Sequence, residues 1–284
     1  MNSDSVVYLN GDFLPLSEAR VSVMDRGFLF GDGVYEVIPV FGENIFRLKE
    51  HLTRLQASLS AIGMKNPYKD EEWQRIFLAL INKNPPVGDK SIYMQLTRGV
   101  DEREHRYSDK LQPTVFVMCR PILKKQFDQG VTAITHTDIR WDYCHIKAIS
   151  LLPSVMLKMR AHQTDGSHEA ILLRDGKVTE GAASNVFIVK DDRVLTPVND
   201  NKLLSGITRD LILELLEEHQ IAIEETAITE RVLRNADEIW ITSSVMEIAP
   251  VIKLDGKTVG DGKPGEMWKK INKWYQDFKI KGKS

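Results

Sequence analysis

At 284 residues the chain is longer than one domain usually runs, so two packed domains are the starting expectation. Its 42% hydrophobic and 27% charged residues are those of an ordinary globular protein, and a formal net charge of -2 gives nucleic acid or an anionic membrane no electrostatic footing. Two cysteines, Cys119 and Cys144, are too few for a disulfide framework and lack the paired spacing of a zinc site, which leaves a small-molecule substrate as the better expectation.

The opening MNSDSVVYLNGD has neither the basic stretch nor the apolar run of a signal peptide. No later apolar run reaches membrane-spanning length, so a cytoplasmic protein is expected. Val6 to Leu9 and Asp12 to Leu16 flank Asn10-Gly11, a dipeptide suited to the positive backbone angles of a tight hairpin. After GDG, Tyr35 to Phe41 is strand-like, and Leu48, Leu52, Leu55, Leu59 and Ile62 recur at the spacing of one buried helix face. Trp73, Ile76, Phe77 and Leu80 mark a second amphipathic helix before Pro85-Pro86, and Ser91 to Thr97 and Thr114 to Met118 read as strands. The polar run Pro121 to Gly130 is the expected linker, between a small domain over 1–120 and a large one over 131–284. Beyond it, strands are expected near Val131 to Thr137, Glu169 to Leu173, Asn185 to Lys190, Ala222 to Glu225 and Glu238 to Thr242. Helices should follow Pro153, Gly206, Thr229 and Gly265, the last with Trp268, Ile271, Tyr275 and Phe278 on one face. The basic tail KIKGKS is expected to fray. Both halves therefore read as mixed α/β.

Chemistry gathers at a few places. Lys147 sits among His145, Ile146, Ala148 and Ile149, where loss of solvent disfavours the ammonium and leaves an amine able to form a Schiff base. Glu180, in VTEGAASNVFIV, opens a small-residue turn into a strand, and a carboxylate there suits a protonated ring nitrogen. Taken alone, the pair also fits a snorkelling lysine and an ordinary turn. In LLSGITRD, Ile207 and Thr208 stand at the start of an apolar-periodic helix whose amides favour a phosphate, although Thr208 also fits a plain cap. Ser243 and Ser244 follow strand IWIT, as phosphate donors or as turn residues. By spacing, Arg54 is an exposed helix arginine, Tyr35 a strand tyrosine, Leu204 a core leucine, and Asp101 to Arg106 a solvated loop.

The segments DRGFLFGDGVYEV, DIRW, CHIKAIS, VTEGAASNVF, LLSGITRD and ITSSVMEIAPV occur together and in this order. In that set the chain resembles the fold type IV enzymes that use pyridoxal 5′-phosphate (PLP), the family of branched-chain aminotransferases, D-amino acid transaminases and aminodeoxychorismate lyases. The resemblance covers nearly the whole chain. It implies two α/β domains with the active site at their interface, a homodimer, and Lys147 as the catalytic lysine. It further implies that Glu180 holds the ring nitrogen, Leu204 packs on the ring, and Arg54, Ile207, Thr208, Ser243 and Ser244 bind the phosphate. Arg140 of DIRW is similar to an arginine near the cofactor.

Within the family, D-amino acid transaminases carry an Arg-x-His element where this chain has Arg103-Glu104-His105. The resemblance implies that Arg103 and His105, contributed by the other subunit, trap the substrate α-carboxylate together with Tyr35. A guanidinium fork suits such a carboxylate. Branched-chain aminotransferases usually carry an FEG-type motif in place of FGDGVYEV, and the lyases a GGRGY-like segment, so D-amino acid transaminase is the expected subclass. A branched-chain or (R)-amine transaminase on the same scaffold is the alternative, and a non-catalytic PLP-binding protein a second. The chain departs from the family at Ser150, where Asn is common after the lysine, and at Val245 and Met246, where hydroxyl residues are common. The first departure bears on support of the site and the second on side-chain range.

Overall fold

The structure is a computed structural model that describes residues 5–84, 88–123 and 127–281. The Pro85-Pro86 step, the middle of the expected linker and the end of the basic tail lie outside the described residues. The chain divides into two compact units: the described residues up to Leu123 with Ile146–Ser150, and the remainder.

The first unit starts with β1 (Val6–Leu9) and β2 (Asp12–Pro15), joined through Asn10 and Gly11 at φ of 51° and 112°. Gly11 accepts that angle without the clash a Cβ would bring. A short helix α1 (Arg26–Phe30), β3 (Gly33–Phe41), β4 (Asn44–Ile45), helices α2 (Leu48–Ala61) and α3 (Asp70–Lys83), β5 (Lys90–Thr97) and β6 (Thr114–Pro121) follow. The sheet is antiparallel, in the order β2-β1-β6-β5-β3-β4. On α2 the predicted stripe holds, with Leu52, Leu55 and Leu59 buried and Leu48 and Ile62 packed at the edge of the core. Each fully buried leucine contributes about 1.5 to 3 kcal/mol relative to exposure. Trp73, Phe77 and Leu80 of α3 enter the same cluster, as do Ile38, Ile92 and Val117 of the sheet.

Segment Ile146–Ser150 belongs to this unit, whereas the sequence places Lys147 in the domain over 131–284. The reason is backbone pairing. Val34 and Ala148 form an antiparallel bridge, Tyr35 N donates to Lys147 O at 3.0 Å, and Ile149 N donates to Gly33 O at 3.0 Å. Lys147 therefore lies against the start of β3.

The second unit contains β7 (Val131–Thr137), α4 (Leu152–Gln163), β8 (Glu169–Arg174), β9 (Lys177–Gly181), β10 (Asn185–Lys190), β11 (Arg193–Thr196), α5 (Ile207–Glu218), β12 (Ile223–Glu225), α6 (Glu230–Arg234), β13 (Glu238–Ser243), β14 (Glu247–Leu254), β15 (Lys257–Thr258) and α7 (Glu266–Lys281). Its sheet runs β12-β11-β10-β13-β14-β7-β8-β9, with β15 on β14. The β7–β8, β7–β14 and β11–β12 pairs are parallel. Helix α7 is held at both ends, which corrects the expectation of a frayed tail as far as Lys281. The Glu238 carboxylate accepts Met267 N and Trp268 N, each at 2.9 Å, filling the first-turn donors that a helix leaves open. Near the other end, Lys279 Nζ donates to Glu247 Oε1 at 2.5 Å.

Candidate active site

In the first unit the site residues group around β3. Lys147 is half-buried, its N–H donates to Ser58 Oγ at 3.2 Å, and its Nζ lies 4.2 Å from the centre of the Tyr35 ring. Tyr35 in turn lies 5.9 Å from the Tyr93 ring. On the other face of β3, Glu36 points inward with Val34 and Ile38 and is fully buried. A carboxylate so placed must be paired. Arg54 Nε and Nη2 donate to its two oxygens at 2.7 and 2.8 Å, and His51 Nδ1 lies 2.8 Å from Oε2. Arg54 is therefore not the exposed helix arginine that its spacing predicts. Burial would raise the Glu36 carboxyl, but the charge and hydrogen bonds of Arg54 and the bond to His51 hold it well below the usual range. Burial also pushes His51 down, against the pull of Glu36. His51 Nε2 is buried without a partner among the described residues. The pairing of Glu36 and His51 with Arg54 escapes the sequence reading, although a Glu in phase with Val34 and Ile38 signals a buried acid.

Ser150 is exposed and its hydroxyl donates to Gly31 O at 3.0 Å, so it supports the end of α1. The loop carrying Arg103 and His105 is exposed, yet it is built. Asp101 accepts Glu102 N at 2.9 Å and Ser108 N at 3.2 Å. Arg103 and His105 both face the Phe30 ring, at 5.3 and 5.6 Å, whereas Tyr35 meets Tyr93 and Lys147. Arg103 and His105 thus share the Phe30 ring, and Tyr35 has other ring and lysine neighbours.

In the second unit the centre is Glu180, near the end of β9 and 5% exposed. Arg140 Nη1 donates to Oε1, and Oε2 accepts Leu204 N and Asn185 Nδ2, each at 3.1 Å. Asn185 also donates to Leu204 O at 2.8 Å, so it fixes both Glu180 and the Leu204 backbone. The sequence reading passes over Asn185 as the first residue of a strand. Arg140 is shared: its N and Nε donate to Asp138 Oδ1 at 3.1 and 2.9 Å, and its Nη2 to Oδ2 at 2.9 Å. Burial pushes the Glu180 carboxyl up to about 7, and Arg140 opposes this only in part. The same arginine holds Asp138 below its usual range despite burial.

Helix α5 starts at Ile207 with Gly206 as its cap, and no side chain fills the cap position. A Cβ on Gly206 would stand 2.0 Å from Asn185 Oδ1, so a larger residue would displace the amide that holds Glu180 and Leu204. Ile207 and Thr208 are buried at this start. Asn185 pairs across the sheet with Thr242, whose Oγ1 is buried and unpartnered among the described residues. Ser243 and Ser244 follow directly, both half-buried, with Ser243 Oγ accepting Met246 N at 3.3 Å. Met246 packs against the core of this unit, and Val245 is exposed. The uncapped amides and the hydroxyls have the donor set of a phosphate site, and Glu180 Oε1 keeps one lone pair for a ring N–H. The residues present therefore fit PLP.

The family described as Amino-transferase class IV matches residues 33–254. The D-alanine aminotransferase of Bacillus licheniformis is 41% identical over 273 residues, covering 95% of this chain and 96% of that protein. The D-alanine aminotransferase of Staphylococcus aureus (strain MW2) is 37% identical, covering 96% and 97%. Among solved structures, the branched-chain aminotransferase of the thermophilic archaeon Thermoproteus uzoniensis, with norvaline, has a TM-score of 0.88 at 30% identity and covers 95% and 93%. That of Escherichia coli has a TM-score of 0.90 at 26% identity and covers 96% and 94%. The chain belongs to the class IV aminotransferases. It is an enzyme, and its cofactor is PLP.

Proposed function

We propose that this aminotransferase moves the amino group between D-amino acids, such as D-alanine and D-glutamate, and 2-oxo acids, such as 2-oxoglutarate and pyruvate. The observation that carries the reading is the built loop presenting Arg103 and His105. The curated relatives named above, at 37 and 41% identity, are D-alanine aminotransferases, whereas the branched-chain enzymes share the fold at lower identity.

PLP held at this site would supply an aldehyde carbon reactive towards amines and an electron-poor ring that lowers the cost of losing an α-proton. Lys147 Nζ removes that proton from the substrate Cα as general base. Glu180 keeps a proton on the ring nitrogen, and Arg140 holds Glu180 in place. Leu204 packs on the ring. Arg54, Ile207, Thr208, Ser243 and Ser244 bind the phosphate, with Glu36 fixing the fork of Arg54. Ser150 supports the end of α1. The substrate α-carboxylate is received by Tyr35 of one chain and by Arg103 and His105 of a second, which makes the working unit a homodimer with shared active sites. The lysine and the trap together argue against a mere PLP-binding protein. A cytoplasmic location fits a chain in which no described helix is long and apolar enough to cross a membrane.

Arg103→Ala and His105→Ala should each lower kcat/KM for D-alanine about ten- to a hundredfold through KM, the worth of a charge-assisted contact of about 1.5 to 3 kcal/mol, while the PLP spectrum stays unchanged. Mixing inactive Lys147→Ala with weakened Arg103→Ala protein should raise kcat/KM for D-alanine above that of Arg103→Ala alone, since one site of a mixed dimer then holds both parts. Unchanged D-alanine kinetics in both single variants would refute the trap and move the branched-chain alternative ahead.

A further inference from the structure

Behind the exposed loop that carries Arg103 and His105 lies a buried cation. Arg26 is 4% exposed, and each of its guanidinium nitrogens donates a hydrogen bond. Nε donates to Asp32 Oδ2 at 2.9 Å, Nη1 to the Glu104 carbonyl at 2.6 Å and Nη2 to the His105 carbonyl at 3.1 Å. Two of the three residues in the Arg103-Glu104-His105 element are thus gripped by their backbone. A planar fork suits two successive carbonyls, and a lysine ammonium does not reproduce it.

The two functional side chains are ordered by one ring. Phe30, one turn after Arg26 on α1, has the Arg26 guanidinium 4.8 Å from its ring centre, the Arg103 guanidinium at 5.3 Å and the His105 ring at 5.6 Å. The helix bearing both residues is itself anchored. Asp25 Oδ1 accepts Gly27 N at 2.7 Å, while Oδ2 accepts the Thr97 and Thr114 hydroxyls at 2.9 and 2.6 Å. Arg26 N donates to Gly99 O at 2.8 Å. Asp32 also accepts Arg98 Nε at 2.8 Å, so a single carboxylate serves two buried guanidinium groups. Arg26 gives Asp32 only its Nε, so both of its terminal nitrogens are left to hold the loop.

We infer that Arg26 and Phe30 form a clamp that sets the substrate-carboxylate trap in place before substrate arrives, Arg26 by fixing the backbone of the Arg103–His105 element and Phe30 by facing its two functional side chains. This rests on the reading of Arg103 and His105 as the trap. Both clamp residues are positioning residues. A trap held in its working geometry loses less freedom when substrate binds, so loosening it weakens substrate capture more than it slows turnover.

The test uses the PLP-loaded full chain with two variants. Arg26→Lys keeps a charge against Asp32 and loses the two-carbonyl fork. Phe30→Leu keeps an apolar side chain, loses the ring face, and carries the test if Arg26→Lys fails to fold. Each should raise KM for D-alanine about five- to tenfold, with kcat within about twofold and the PLP absorbance spectrum unchanged. In either variant trypsin should cut after Arg103 and Arg106 several-fold faster than in the unaltered protein. Placed in an Arg103→Ala background, either variant should add less than about twofold to KM, because it acts through the residue already removed. The clamp is overturned if the loop is cut no faster and KM is unchanged in both variants. A full-sized KM penalty in the Arg103→Ala background, or a fall in kcat at constant KM, overturns it as well. Unaltered D-alanine kinetics in Arg103→Ala alone would overturn the trap reading, and with it the clamp's role in substrate binding. Trypsin separates these failures, since it reports whether the loop is held whatever the loop does.

Discussion

Glu36 in the first unit and Glu180 in the second are both buried and both face an arginine, yet their carboxyl groups are driven in opposite directions. Glu36 receives two N–H groups of Arg54 and a ring nitrogen of His51, and these outweigh the cost of burial. Glu180 also accepts three donors, Arg140 Nη1, Leu204 N and Asn185 Nδ2, but Arg140 is bonded to Asp138 as well, and the negative charge of Asp138 pushes the same way as burial. The difference lies in how many N–H groups the arginine gives the glutamate, and in the second carboxylate that stands beside Glu180. Two N–H groups of Arg54 keep Glu36 an anion, and Glu36 in turn fixes Arg54. With one N–H from Arg140 and the Asp138 charge nearby, burial keeps the Glu180 carboxyl raised, at about 7.

The strongest way to break this comparison is Glu36→Gln. It leaves Arg54 without its counter-charge in a buried setting, which should cost about 3 to 5 kcal/mol of stability in denaturant titrations of the apo-protein. The sign of the pH dependence follows from the lowered carboxyl. Stability from Glu36 is fully present above the ordinary carboxylate range and is lost as pH falls towards the lower native value, so the variant should lose less stability than wild type on acidification.

Glu180→Gln should behave in the opposite sense. The native carboxyl is raised from 4.5 to about 7, so the stability linked to it is present below 4.5 and is lost as pH rises through 7. Measured against wild type, the apo-form of the variant should gain stability over that window by on the order of 3 kcal/mol. Its PLP-loaded form should retain cofactor but transaminate about a hundred- to a thousandfold more slowly, because an amide cannot hold the ring proton. Parallel pH profiles for Glu36→Gln and Glu180→Gln would erase the distinction between the two buried glutamates.

The smallest effect is expected at the phosphate residues of the second unit. Thr208→Ala combined with Ser244→Ala should weaken PLP binding by about 1 to 3 kcal/mol in a titration of apo-protein, the loss of hydroxyl hydrogen bonds to the phosphate, without altering the pH profile of either carboxylate. Unchanged affinity would place the phosphate elsewhere.

Much of this was legible in the sequence where a period or a turn signal marks it. The Asn10-Gly11 hairpin, the leucine stripe of α2 and strand Asn185–Lys190 emerge as read. Helix α1 was not, because five residues carry no period. Nor was the assignment of Ile146–Ser150 to the first unit, which depends on pairing with Gly33, Val34 and Tyr35 across more than a hundred residues of sequence. Lys147 and Glu180 stand out only through the family resemblance, since periodicity is blind to a single functional side chain. Asn185 and His51 were hidden because their roles are hydrogen bonds to side chains distant in sequence. Glu36 was readable in principle, as an acid on the core-facing side of β3.

The central claim is amino transfer from D-amino acids, and the most direct measurement is the choice of donor. With 2-oxoglutarate as acceptor and PLP-loaded protein, kcat/KM for D-alanine should exceed that for L-leucine by more than about tenfold, a difference of about 1.4 kcal/mol in transition-state stabilisation. A preference for L-leucine would contradict the account and make the Arg103–His105 loop a surface feature on a branched-chain-type enzyme.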